Sequence, residues 1–202
     1  MSNEPTYIKN LKTLARADPK SENFEALERE MYTSGSDRAT AVLFASFVEI
    51  NLENFIVSKL RPNLNSDDRK QLFDYEGAIG TFSSKIIIAY AFKLIGPVTR
   101  FDLNLIRILR NEFAHSRIPI NFDTPEVKSV CDKLKLADLP ASISPFGLLN
   151  RWHREGMEYA QNINHPKTRY ICACHNASYR MHVIRSGLPH DRFTDLKDEP
   201  LP

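Results

Sequence analysis

Apolar residues recur along this chain at helical spacing, and few stretches alternate polar with apolar at a period of two. Successive side chains of a strand point to opposite faces, so a half-buried sheet needs that alternation. A helix instead gathers residues three and four apart onto one stripe. The pattern predicts an all-α fold, a single-domain helical bundle of roughly six to eight helices.

The punctuation of the apolar pattern sets the expected helices. A short polar helix is expected over 22–31, with Phe24, Leu27 and Met31 on one side. Ser34-Gly-Ser-Asp37 supplies a break and an N-cap. The helix after it carries Val42, Leu43, Phe47, Ile50 and Phe55, and ends near Leu60 because Arg61-Pro62 cannot easily continue it. Ser66-Asp-Asp68 caps a short helix that ends at Phe73, and Gly77 and Gly80 make a turn. The next helix is expected over 82–95, with Gly96 stopping it at C′ and Pro97 opening its successor. That successor carries Phe101, Leu105, Ile108 and Leu109, and ends around His115. Thr124-Pro-Glu126 opens a helix reaching about Leu136. Ser144-Pro145 opens another through Trp152 to Tyr159, and Pro166 or Lys167 begins the last, to about Arg185. Gly187 closes it, and the polar residues beyond Leu188 read as a loose tail.

Composition narrows the function classes. Of 202 residues, 42% are hydrophobic and 26% charged, which suits a soluble globular protein. A net charge of +2 is too small to argue for a general nucleic-acid binder. Between Arg151 and Arg192, however, stand seven Lys/Arg, three Asp/Glu and five of the six histidines, a mildly basic third. The longest strongly apolar run, Ile86 to Phe92, falls well short of the roughly 20 residues that span a bilayer. MSNEPTYIKN has no apolar signal core. The expectation is a cytoplasmic protein without membrane contact. Cys131, Cys172 and Cys174 are odd in number, which argues for reduced thiols.

The stretch RILRNEFAHS (107–116) departs from the apolar pattern. Asn104, Arg107, Asn111 and His115 stand at i, i+3, i+7 and i+11, hence on one stripe, with Arg110 beside it. Such a stripe is a solvated or internally tied face, a partner interface, or a site. As a site it suits phosphate chemistry. Histidine can move a proton near neutral pH, and arginine holds a phosphate through paired donors. Asn111 can orient the imidazole or donate to an oxyanion. Together they fit attack of a ribose 2′-hydroxyl on the adjacent phosphate of RNA, with no metal needed. Two copies across a two-fold axis would supply two histidines.

RNEFAH resembles the Arg, four to six residues, His motif of the HEPN superfamily (higher eukaryotes and prokaryotes nucleotide-binding domain). The longer run LFDYEGAIGTFSSKIIIAYAFKLIGPVTRFDLNLIRILRNEFAHSR, followed by FDTPEV, resembles the mannitol operon repressor family. The resemblance covers about Ala39 to Pro140, and PKTRYICACHNASYR resembles that family's closing helix. It implies a HEPN-like domain over 37–187, an N-terminal helical extension over 1–36, an insertion at 142–165 and a flexible tail at 188–202. It implies a homodimer and a transcriptional regulator. No helix pair here suits the major groove, so regulation is expected through a protein partner, a transcription factor or antitoxin-like protein, rather than DNA readout. In RNA-cutting HEPN relatives the motif arginine and histidine are catalytic. Carried over, these are Arg110 and His115, with Asn111 following the arginine. The alternative to a regulator is therefore a metal-independent endoribonuclease, a toxin or defence effector with RNA as partner.

Other candidates are weaker. Cys172-Ala-Cys174-His175 tempts a metal reading, but the two cysteines point some 200° apart on a helix, and zinc wants four ligands. Buried thiols are the better reading, and no cofactor or metal is expected. His175 and His182, with Arg169 and Tyr179 more loosely, read as a solvated basic face. Tyr75-Glu-Gly77 with Gly80 matches no phosphate-loop spacing. Glu76 is a candidate partner for Arg107 or Arg110. Trp152 among Arg151, His153 and Arg154 reads as a packed amphipathic helix. Ser83, Ser84 and Lys85 form no nucleophile site.

Overall fold

The computed structural model describes residues 5–15, 35–60, 64–74, 76–138 and 162–186. The expected helix at 22–31, the insertion at 142–165 up to residue 161, the Trp152 cluster and the tail lie outside them. The described residues hold seven α-helices and a 3-10 turn, and no strand, so the fold is an all-α helical bundle. The chain divides into two units, Met1–Ser34 and Gly35–Pro202. In the first, helix α1 (Thr6–Ala15) exposes Tyr7, Leu11 and Leu14 at i, i+4 and i+7.

The second unit begins with α2 (Asp37–Lys59). Ser36 is its N-cap, accepting from the Ala39 amide at 3.3 Å. Asp37, in the first turn where a negative charge suits the helix dipole, also fastens two distant segments. Its Oδ2 accepts from the Phe122 amide at 2.9 Å and its Oδ1 meets Lys167 Nζ at 2.9 Å. The buried face of α2 is Thr40, Ala41, Phe44, Ala45, Val48, Leu52, Phe55 and Ile56. Of the five apolar residues expected on its stripe, only Phe55 belongs to it, and Ile50 is 53% exposed. The last helix packs on this face, and its Tyr170 hydroxyl reaches the Ala41 carbonyl at 2.6 Å. This helix alone among the described residues is long and apolar enough to cross a membrane by length and composition, but it is also the bundle's core helix.

Helix α3 (Ser66–Phe73) is capped by Asn65, one residue before the expected cap, whose Oδ1 accepts from the Asp67 and Asp68 amides at 2.9 and 2.8 Å. The glycine turn then folds back on it, with the Ile79 amide donating to Leu72 O at 2.7 Å. A Cβ on Gly77 would stand 2.6 Å from the carbonyl oxygens of both Gln71 and Leu72.

Helix α4 (Phe82–Ala91) opens with a reciprocal Thr81–Ser84 capping box. It ends four residues before the expected Ile95, and Gly96 is not its stop. Lys93 takes the left-handed position with φ 55°. The Lys93 amide donates to Tyr90 O at 2.9 Å and the Leu94 amide to Ala89 O at 2.8 Å, the Schellman pattern with lysine where glycine is usual. Gly96 instead N-caps α5 (Pro97–His115), with Pro97 at the start as expected.

Helix α5 buries Thr99, Asp102, Leu103, Ile106, Leu109 and Phe113, while Ile108 is 39% exposed. Its core face is thus rotated from the expected one, because a charged residue sits inside. Asp102 is fully buried and accepts from the Lys135 and Leu136 amides at 3.1 and 2.6 Å. A buried carboxylate needs such donors. It pins the 3-10 turn Leu136–Asp138, which follows α6 (Pro125–Cys131) where a longer helix was expected.

Helix α7 (Pro166–Ser186) packs on α2, α5, α6 and the 3-10 turn. It is buried on nearly every side, although Lys167, Thr168, Arg169, Asn176, Ser178 and Arg180 lie along it. The expected solvated basic face is therefore corrected at Arg169, which is buried, while His182 is exposed as expected. Arg169 donates to Leu134 O at 2.6 Å and Cys131 O at 3.2 Å and pairs with Asp138 at 2.8 Å. It ties down carbonyls at and just beyond the end of α6. Asn176 Nδ2 donates to Leu136 O at 2.7 Å, and Arg180 Nη1 to Thr99 Oγ1 at 3.2 Å. Tyr170, fully buried, donates to Ala41 O at 2.6 Å and stacks in line with Phe122 and Phe113. Along its buried length the polar groups of α7 join elements, while His182 and Arg185 near its end are exposed.

Candidate functional site

Four basic and acidic side chains from three helices meet beside the RNEFAH motif. Lys85 lies in the apolar run of α4 and is buried. Its Nζ contacts Glu49 Oε1 and Glu53 Oε2, each at 2.9 Å. Glu49 Oε2 in turn meets Arg110 Nη2 at 2.9 Å. Glu49 and Glu53 are one turn apart on α2, so both reach the same ammonium. The order is Glu53, Lys85, Glu49, Arg110, with charges alternating in sign. Burying a charge without a partner is costly, and this alternation removes that cost.

Arg110 is thereby engaged within the chain. Its Nη1 also donates to Asn111 Oδ1 at 3.1 Å. Asn111 spends its acceptor on this arginine and is not poised on the imidazole. The carboxylate at Arg110 is Glu49; Glu76 is exposed, so its expected pairing with Arg107 or Arg110 is replaced. Asn104 Nδ2 donates to Arg100 O at 2.9 Å, an ordinary back-bond within the helix. Arg107 is half-buried, and among the described residues its Nε has no hydrogen-bond partner.

His115 is the last residue of α5 and is exposed. Arg110 and His115 are five residues apart, which turns them roughly 140° from each other around the helix. The stripe of Asn104, Arg107, Asn111 and His115 faces away from the core, whereas Arg110 leans toward α2. One chain therefore does not bring the motif arginine and histidine onto a common face. Beside His115, Arg38 Nη2 donates to Ser116 O at 3.1 Å, closing the carbonyl end of α5 from the start of α2.

The sequence reading missed Glu49, Glu53, Lys85 and Asp102. The signal was present: each is a charge inside an apolar helical stretch, and such charges are buried only when paired.

The thiol-rich segment is inert. Burial pushes Cys131 up to about 12 and Cys172 up to about 11, and Cys174 well above the usual thiol range. His175 packs edge-on against Phe44 at 5.7 Å, and burial holds it down to about 3, so it is neutral near pH 7. Among the described residues no three His, Cys, Asp or Glu gather as a metal site would require.

Comparison with family models, with curated proteins and with solved structures gives no match for this chain.

Proposed function

We propose that this chain is a HEPN-like, cytoplasmic regulatory protein of the mannitol operon repressor type, working as a homodimer through protein contacts. The observation that carries the reading is the outward apolar set on the α4–α5 hairpin. Ile87 is 56%, Phe92 68% and Ile108 39% exposed, and Tyr90 is 37% exposed beneath the Arg100 guanidinium at 4.3 Å. Large apolar and aromatic side chains held out on rigid helices suit a protein interface. The engagement of Arg110 by Glu49 supports the same reading, since a neutralised guanidinium has little left for a phosphate. Light scattering at several protein concentrations tests it. A dimer mass that falls to monomer in Ile87→Glu and Phe92→Glu is expected. A monomer mass throughout would overturn it.

One observation favours a second reading. His115 is exposed, with no hydrogen-bond partner among the described residues, on the stripe that also carries Arg107 and Asn111. That arrangement suits metal-independent RNA cleavage, with His115 moving the proton and an arginine from each copy facing the phosphate.

A further inference from the structure

Most cations near the core are consumed by internal partners. Lys85 and Arg110 sit on Glu49, Lys167 on Asp37, and Arg169 on Asp138. Two exposed arginines beside the end of α5 differ. Arg38 and Arg117 have no carboxylate within ion-pair distance among the described residues. Arg38 spends one N–H on Ser116 O at 3.1 Å, which fixes its guanidinium and leaves its other donors outward. The turn that follows is also fixed. Ser116 Oγ donates to Ile118 O at 2.8 Å and accepts from the Ile118 amide at 3.3 Å. This presents Arg117 beside Ile118, which is 67% exposed.

We infer that Arg38, Arg117 and Ile118 form a docking surface for an acidic, apolar-anchored peptide segment of a protein partner. The inference rests on the regulatory reading and names the chemistry of its partner. Charge complementarity argues for carboxylates: two neighbouring guanidinium groups, that of Arg38 held by Ser116 O, can match them bidentately. Ile118 argues for a peptide over a phosphodiester, because an RNA backbone offers nothing apolar to cover it. The patch is also small. Two arginines make a short positive track against what RNA affinity needs.

The test is fluorescence anisotropy on the full chain with three labelled probes: a peptide of alternating Glu and Leu, its Gln-for-Glu counterpart, and oligouridine of equal length. The Glu peptide is expected to bind best, less tightly as salt rises. Arg38→Gln and Arg117→Gln should each weaken it about two- to five-fold, as should Ile118→Ser. Arg38→Lys should recover part of the loss, and Arg69→Gln on α3 should change nothing. No saturable peptide binding, equal binding of the Gln peptide, or tighter oligouridine binding indifferent to Ile118→Ser would each overturn the surface. Mass measurements separate this from the dimer: a dimer that ignores the peptide sinks the surface alone, and a monomer that binds it sinks the dimer alone.

Discussion

Replacing Glu49 by alanine tests the engagement of Arg110 most sharply. Glu49 makes two ion contacts of 2.9 Å, to Lys85 and to Arg110. The side chains involved are 6% exposed at Lys85, 18% at Glu49 and 29% at Arg110. Breaking a fully buried pair costs about 3–5 kcal/mol, and an exposed one about 0–1 kcal/mol. This site lies between, and Lys85 keeps Glu53 at 2.9 Å, so its charge is not stranded. The expected loss for Glu49→Ala is about 2 kcal/mol, or about 4–8 °C in Tm for a chain this long. Glu53→Ala, removing one contact of a more exposed carboxylate, should cost about 1 kcal/mol. The double variant is the informative one. With both carboxylates gone, Lys85 is a buried ammonium without a counter-charge, so the loss should exceed the sum of the single losses by more than about 1 kcal/mol. Urea denaturation followed by circular dichroism reads all three. Additive losses, or a Glu49→Ala loss below about 0.5 kcal/mol, would show the network to be solvated and the argument wrong.

Three further outcomes are expected. Lys93→Gly should raise stability by about 0.5–1 kcal/mol, since φ 55° strains a side-chain-bearing residue; a lower urea midpoint would refute the Schellman assignment. Gly77→Ala should lose about 2 kcal/mol, because the new methyl meets two backbone carbonyls at 2.6 Å that cannot step aside; an unchanged midpoint would refute the turn. His175 is held down to about 3 from an ordinary 6.5, so between those values the unfolded chain binds a proton that the folded chain refuses. Its contribution is complete above pH 6.5 and is lost as pH falls below it. Because the ring keeps some solvent contact, the loss by about pH 5 should be about 1 kcal/mol, and it should be missing from the pH profile of His175→Leu.

The helix class and most helix starts could be read from the sequence, because caps and prolines act locally. Ser36, Pro97 and Pro166 each open a helix where the spacing predicts one. What could not be read depends on partners distant in sequence. The core face of α2 is the one that meets α7, over a hundred positions away, as the Tyr170 to Ala41 bond illustrates. The polar length of α7 reads as a solvated face until Arg169 and Asn176 are seen on the carbonyls of Leu134 and Leu136. The stop at Lys93 was hidden because the left-handed position is held by a lysine while a glycine waits three residues on. At the candidate site the stripe itself was legible from spacing. Its internal anchor was not, since Glu49 lies 61 residues from Arg110.

The most direct test is RNA cleavage by the purified protein in excess EDTA, beside a His115→Ala variant of equal stability, over substrates that include tRNA. A regulator whose motif arginine is engaged by Glu49 should leave every substrate intact in both cases. Cleavage by the parent that is lost in the variant would contradict that account and make His115 a catalytic residue.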